Sequence, residues 1–439
     1  MKGPKKAGPQ VIDPALSPPI YVPIGMALAG VLGLLVLQAL VIAKAPMIFG
    51  PFRFNPAALA AVHLFTLGFA TSVMIGAFHQ ITPVMMRGRP VEGGWALLQG
   101  LAYLAGSWAL VWGFYRSAGP WITAGGTLVV LALVVFAALV VRAMRSATQW
   151  TVAGRFMAAA LSFVLGTVIW GLVLAFNLRR GFLPDSLDYS PLGAHVLLGL
   201  GGWFMLTVFG VSYQLFPMFA LTNRPSAASG HAVLAKLSAG LWGAFASLLL
   251  HLPALTAACL LLAAAGAARY AADFFAMMRQ RRRPELDLSM RYGVTALAFL
   301  VPAALLLLLS VRHRAFAVPG AWLFLFGFVA TMILGMLYRI IPFLFWHHLM
   351  RNRRSKTQRL PKLDEMFAQR TARAGYFCWT AGVLLTGLLL LGGALGWWDA
   401  RYLVRGSAIL NLTGSLLFAG TILQVLRARP LDGRERSMG

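Results

Sequence analysis

The stretch HLFTLGFATSVMIGAFHQITP at residues 63–83 returns as HVLLGLGGWFMLTVFGVSYQLFP at 195–217 and as WLFLFGFVATMILGMLYRIIP at 322–342. Aligned on the closing proline, Gly68, Gly76, His79 and Pro83 fall on Gly202, Gly210, Tyr213 and Pro217, and then on Gly327, Gly335, Tyr338 and Pro342. Recurrence of one pattern at separations of 134 and 125 residues reads as a threefold internal repeat. Each copy predicts a long apolar helix whose two glycines lie on nearly one face, where another helix or a flat ligand can approach. The proline is expected to end the span near an interface.

Apolar runs of about 20 residues, enough to cross a bilayer, recur along the whole chain, and 59% of its 439 residues are hydrophobic. This is the pattern of an all-α polytopic membrane protein, and it excludes a soluble multidomain enzyme. The net charge of +26 does not point to nucleic acid, because the basic residues sit between the apolar runs. There they report orientation. The first 20 residues are polar, basic and Pro-rich, and no cleavable signal is evident in them. Cys259 and Cys378 each stand alone in an apolar span, so no disulfide framework, Cys-rich metal site or c-type haem attachment motif is present.

Twelve spans are expected, near 21–43, 57–82, 95–115, 120–142, 155–177, 192–219, 232–251, 253–275, 291–311, 320–346, 373–395 and 403–426. The repeated stretches are spans 2, 6 and 10, so the unit is four helices used three times, at roughly 21–142, 155–275 and 291–426. Residues 1–20 and 427–439 read as cytoplasmic tails flanking one transmembrane domain, 21–426. With the N-terminus inside, 29 of the 38 Lys and Arg residues fall on the inner side and 9 on the outer. That bias expects both termini in the cytoplasm of a bacterial-type inner membrane. The basic loops at 279–283 and 351–373 suit anionic lipid, and a docking partner is the alternative.

No Asp or Glu falls mid-span; the nearest is Asp273, close to the inner end of span 8. This disfavours proton-coupled transport and removes hard oxygen ligands from the membrane interior. Histidines are the candidate ligands. His63 and His195 lie at the outer ends of two repeat helices, and His251 ends span 7 on the same side. A histidine in a span either bonds a neighbouring helix or binds a ligand, and a pair at corresponding ends of repeated helices shifts the balance toward the second. His79 stands at the repeat position of Tyr213 and Tyr338 and reads as an inter-helix hydrogen-bonding group. Met85 and Met86 admit a copper reading, since thioether sulfur suits Cu(I), although methionine is also ordinary membrane filler. Arg179 and Arg180, and Arg401 and Arg405 beside Trp397 and Trp398, suit either a carboxylate such as a haem propionate or an interfacial belt.

Twelve spans in three groups of four, with helices 2, 6 and 10 central, resemble the catalytic subunit of the haem-copper oxidase and nitric oxide reductase superfamily. The resemblance implies a subunit I-like fold, histidine ligands for haem and copper on helices 2, 6, 7 and 10, and action on O2 or NO. His63 matches the helix 2 position, His195 the helix 6 position without the family's His-Pro-Glu context, and His251 half of the helix 7 pair. Trp322 stands where helix 10 is expected to carry a histidine, so the six-histidine centre and the reductases' membrane carboxylate are both missing.

Counted back from the repeat proline, His63 is at minus 20 and His195 at minus 22. At about 100° per residue these positions point in roughly opposite local directions. In a ring of three central helices, neighbours must use opposite faces to reach the pore between them. By analogy with the family's helix 10, this places both imidazoles in one pore and implies a bis-histidine haem b between spans 2 and 6, with Gly68 and Gly202 admitting the flat ligand. The function expected is electron transfer or handling of a diatomic gas such as NO. Copper at a second site using His251 is a further possibility, and an electron-donor protein (cytochrome c or a cupredoxin) or other respiratory subunits are the implied partners. The alternative is a cofactor-free membrane transporter or an oxidase assembly partner.

Overall fold

The computed structural model describes residues 18–50, 55–184, 190–282, 285–352 and 360–430. Among these residues it contains helix and no strand, and twelve of its helices are long and apolar enough to cross a membrane. They are α1 (Tyr21–Ile48), α2 (Pro56–Met86), α3 (Gly93–Tyr115), α4 (Gly119–Arg145), α5 (Val152–Arg180) and α6 (Ser190–Ala220). The second half supplies α7 (Ala227–Leu249), α8 (Pro253–Arg279), α9 (Leu288–Leu309), α10 (Arg314–Asn352), α11 (Gln369–Ala394) and α12 (Ala400–Arg427). All twelve expected spans are present. The tails expected at 1–20 and 427–439 lie largely outside the described residues.

The most deeply buried helix is α10, and α2 and α6 follow it. These three carry the repeated stretches. Each changes hand-hold at the same point: π-helical turns run from Leu64 to Thr71 in α2, from Leu198 to Met205 in α6 and from Leu323 to Ala330 in α10. All three π segments begin nineteen residues before the repeat proline. A π turn bonds i to i+5 and leaves local carbonyls free for other donors. Ser72 Oγ donates to Leu67 O at 3.0 Å, and at the matching position Thr331 Oγ1 donates to Phe326 O at 2.8 Å. Neighbouring helices add donors: Tyr103 of α3 reaches Leu67 O at 2.8 Å, and Trp379 Nε1 of α11 reaches Thr331 Oγ1 at 2.8 Å.

The repeat glycines seat each of these helices against another helix. A side chain at Gly33 of α1 would meet Gly68 O, and one at Gly76 would meet Pro23 and Met26 of α1. Gly202 and Gly210 of α6 lie against Phe163 and Phe156 of α5, and Gly327 and Gly335 of α10 against Phe299 and Tyr292 of α9. Where a flat ligand or a helix was expected at Gly68 and Gly202, the space beside Gly202 is taken by Phe163 of α5 and that beside Gly68 by Leu64 of its own helix. The repeat prolines differ from expectation as well, since Pro83, Pro217 and Pro342 lie inside their helices. The chain continues three residues past Pro83 and Pro217 and then stops at a left-handed residue, Arg87 (φ 51°) and Leu221 (φ 52°). The left-handed caps, not the prolines, end these two helices.

The two ends of the bundle are marked by local contacts. Tyr21 at the start of α1 lies beside Gly93, and Arg142 at the end of α4 pairs with Glu92 at 2.7 Å, so these segments share one end. At the other, Arg179 at the end of α5 reaches Thr123 and Gly119 at the start of α4. His63 and His195 belong to this second end.

Candidate functional site: two histidines in one cavity

A cavity of about 720 Å³ opens among α2, α3, α4, α5 and α6, with Ala321 and Leu325 of α10 at one side. It follows α5 from Val164 to Leu178, about 21 Å at 1.5 Å per residue. Its walls are mostly Leu, Val, Ala and Phe, and its floor is closed by Thr71 and Trp203, joined by a Trp203 Nε1 to Thr71 Oγ1 hydrogen bond of 2.9 Å.

His63 and His195 enter this cavity from α2 and α6. Their ring centroids are 6.5 Å apart and their planes differ by 21°. His63 Nδ1 donates to Leu59 O, one turn back on α2, at 2.8 Å. His195 Nδ1 donates across to Thr167 O of α5 at 3.0 Å. A carbonyl oxygen only accepts, so each ring is fixed as the Nδ1–H tautomer. Each Nε2 then carries a lone pair, and neither has a hydrogen-bond partner among the described residues. This is the tautomer and second-shell bond that metal-binding histidines use.

Packing fixes the ring planes. His63 lies against Phe114 of α3, with centroids 4.6 Å apart. His195 lies over Gly171 of α5, where a Cβ would sit 2.7 Å from Cε1 of the imidazole. Only glycine leaves room for the ring there. The other polar groups on the walls are already engaged: Thr66 Oγ1 with Val62 O at 2.9 Å, Thr167 Oγ1 with Phe163 O at 2.7 Å, and Asn177 Oδ1 with Leu183 N at 2.7 Å. The cavity therefore offers two nitrogen lone pairs, on half-buried rings, between mostly apolar walls.

The remaining candidates lie elsewhere or at the margin. Exposed Arg179 and Arg180 follow Leu178, a residue of the cavity wall, and so stand at its open end, with Arg179 turned toward Thr123 Oγ1 at 3.4 Å. Arg401 is held by Asp399 at 2.6 Å, and those hydrogen bonds keep the Asp399 carboxyl below the usual carboxylate range. Arg405 reaches Ala43 O of α1 at 3.5 Å, so both arginines of α12 are apart from the cavity. Gly68 and Gly202 do not line it either. His251 is exposed with φ 53° in the turn between α7 and α8, also away from it. Among the described residues no three His, Cys, Asp or Glu side chains are grouped as a metal would require. Met86 is buried with its sulfur against Gly154 of α5.

Sequence reasoning missed Gly171, Phe114 and the carbonyls of Leu59 and Thr167. A backbone carbonyl has no residue signature, and Gly171 is one of 45 glycines. Compared with known proteins, the chain matches no family model and no curated sequence.

Proposed function

We propose that this chain is a haem b-binding membrane protein in which His63 and His195 would hold one haem between α2 and α6. The observation that carries the reading is a pair of imidazoles in one cavity with ring centres 6.5 Å apart, each with its Nδ1 on a backbone carbonyl and its Nε2 without a hydrogen-bond partner among the described residues. Two metal–nitrogen bonds of about 2 Å plus the half-widths of two imidazoles separate the ring centres by roughly 6 Å. The observed 6.5 Å matches that span. Among the described residues the site supplies two nitrogen donors and no grouped third ligand, which suits a metal whose other positions are filled by a macrocycle. An apolar volume of about 720 Å³ falls within the usual size of a cofactor site.

Bound there, haem would supply one-electron chemistry, held by His63 and His195. That suits electron transfer or gas sensing over substrate turnover. Leu59 O and Thr167 O hold the imidazole tautomers, Gly171 and Phe114 set the ring planes, and the Leu and Val walls would give the group an apolar setting. Arg179 and Arg180, next in sequence to the wall residue Leu178, would be the nearest cations for carboxylates of the ligand.

The scaffold reading is a threefold arrangement of four-helix units resembling the haem-copper oxidase subunit. Three π segments in one register and three repeat helices seated by their glycines on α1, α5 and α9 support it. The basic end of the bundle, with Arg87, Arg142, Arg279 and Arg351, is read as cytoplasmic in a bacterial-type inner membrane. An electron-donor protein would then meet the opposite face. A cofactor-free transporter would use the same cavity, and colour separates the two. Protein expressed with adequate haem and purified in detergent is expected to give sharp low-spin b-type bands in dithionite-reduced minus oxidised spectra. A colourless preparation would leave transport or assembly as the function.

A further inference from the structure

A second cavity lies on the axis of the bundle, where α2, α6 and α10 meet beside α1 and α5. It measures about 80 Å³ and follows α10 from Met332 to Leu344, about 18 Å at 1.5 Å per residue. Four buried methionines, Met74, Met157, Met332 and Met336, line it among Ile, Val and Leu side chains. Polarisable sulfur strengthens dispersion contact with a small guest.

The polar lining is Gln80, Thr207 and Ser212, and buried Gln80 has a partner of its own. Ser212 is committed to Tyr270 at 2.6 Å and to Phe209 O. Thr207 is buried, and its hydroxyl has no partner among the described residues. A water held there needs about two to four polar partners, and the Thr207 hydroxyl is the one side-chain group on this lining left without a partner among the described residues. Phe78 lines this cavity and Trp203 lines the histidine cavity, and their rings pack at 5.2 Å. One aromatic layer separates the two spaces.

We infer that the axial cavity is a binding site for a small, weakly polar molecule of the diatomic-gas class, held one aromatic layer from the histidine pair. Its walls favour a guest that gains by dispersion, and the Thr207 hydroxyl offers that guest one hydrogen bond. The inference does not depend on haem, and xenon is the probe that separates the two claims. Crystals pressurised with xenon are expected to show an anomalous peak on the axis between Met74 and Met336 in the wild type. The same peak is expected in the His63→Ala/His195→Ala double variant. Val208→Phe, which fills the cavity from α6, is expected to lose the peak; should that variant not fold, Ala77→Leu on α2 makes the same test. Absence of axial xenon in the wild type, ordered water in its place, or a peak that survives filling would each overturn the inference, whatever the haem spectrum shows.

Discussion

Two imidazoles are held by contacts that belong to other residues' backbones. Gly171→Ala places a methyl 2.7 Å from the His195 ring, so the ring must swing away from its partner. The expected result is loss of most low-spin haem at unchanged protein yield, read from the absorption spectrum. His63→Gly is expected to recover the low-spin bands when imidazole is added, because the hole left beside Phe114 admits a free ring; no recovery would mean that His63 acts on the fold and not on the ligand. The pair itself was legible in the sequence, since both histidines precede the π segments and their offset of two positions is measured along ordinary α-helix. Counting 100° per residue from the prolines is wrong through the π turns. The error is shared by α2 and α6, because their π segments begin at the same distance from Pro83 and Pro217.

At the scale of the helix, the π segments are what the sequence concealed. LFTLGFAT, LGLGGWFM and LFLFGFVA share a first Leu, a fifth Gly and an aromatic sixth residue, none of which marks a π turn by itself; the turn is supported by what surrounding helices donate to its loosened carbonyls, such as the Tyr103 hydroxyl on Leu67 O. The glycine spacing did announce close approach, but a flat ligand and a helix ask for the same missing Cβ. Because Gly33 of α1 faces Gly68 O directly, Gly33→Val must push α1 from α2. Overpacking of this kind costs about 1–3 kcal/mol, and a lowered thermal midpoint in detergent is the expected reading. Gly94, with open space around it, is the control: Gly94→Ala is expected to leave the midpoint unchanged.

For the whole molecule, the three meetings of α2, α6 and α10 are filled differently. Between α10 and α2, Phe65 packs on Phe326 at 4.8 Å, and Trp322 stacks on Phe326 at 3.8 Å. Between α6 and α10, Phe209 meets Phe328 at 6.1 Å and stacks on Tyr270 at 3.6 Å. Aromatic side chains take these spaces, so the account expects one haem per chain, and a pyridine haemochrome ratio near two would contradict it. Trp322 is the telling residue: it stands where a helix 10 histidine was sought, and its Nε1 is spent on Val383 O at 3.0 Å. An even number of crossings would bring both ends of the bundle to one face; with that face proposed as cytoplasmic, tags at either end are expected to be protected from external protease in intact cells.

The most direct test of the central claim is the reduced-minus-oxidised spectrum of His63→Ala and of His195→Ala, each measured beside the wild type. The account predicts that either substitution alone abolishes the low-spin bands, because both nitrogens bind one iron. Low-spin bands that persist unchanged in either variant would contradict it.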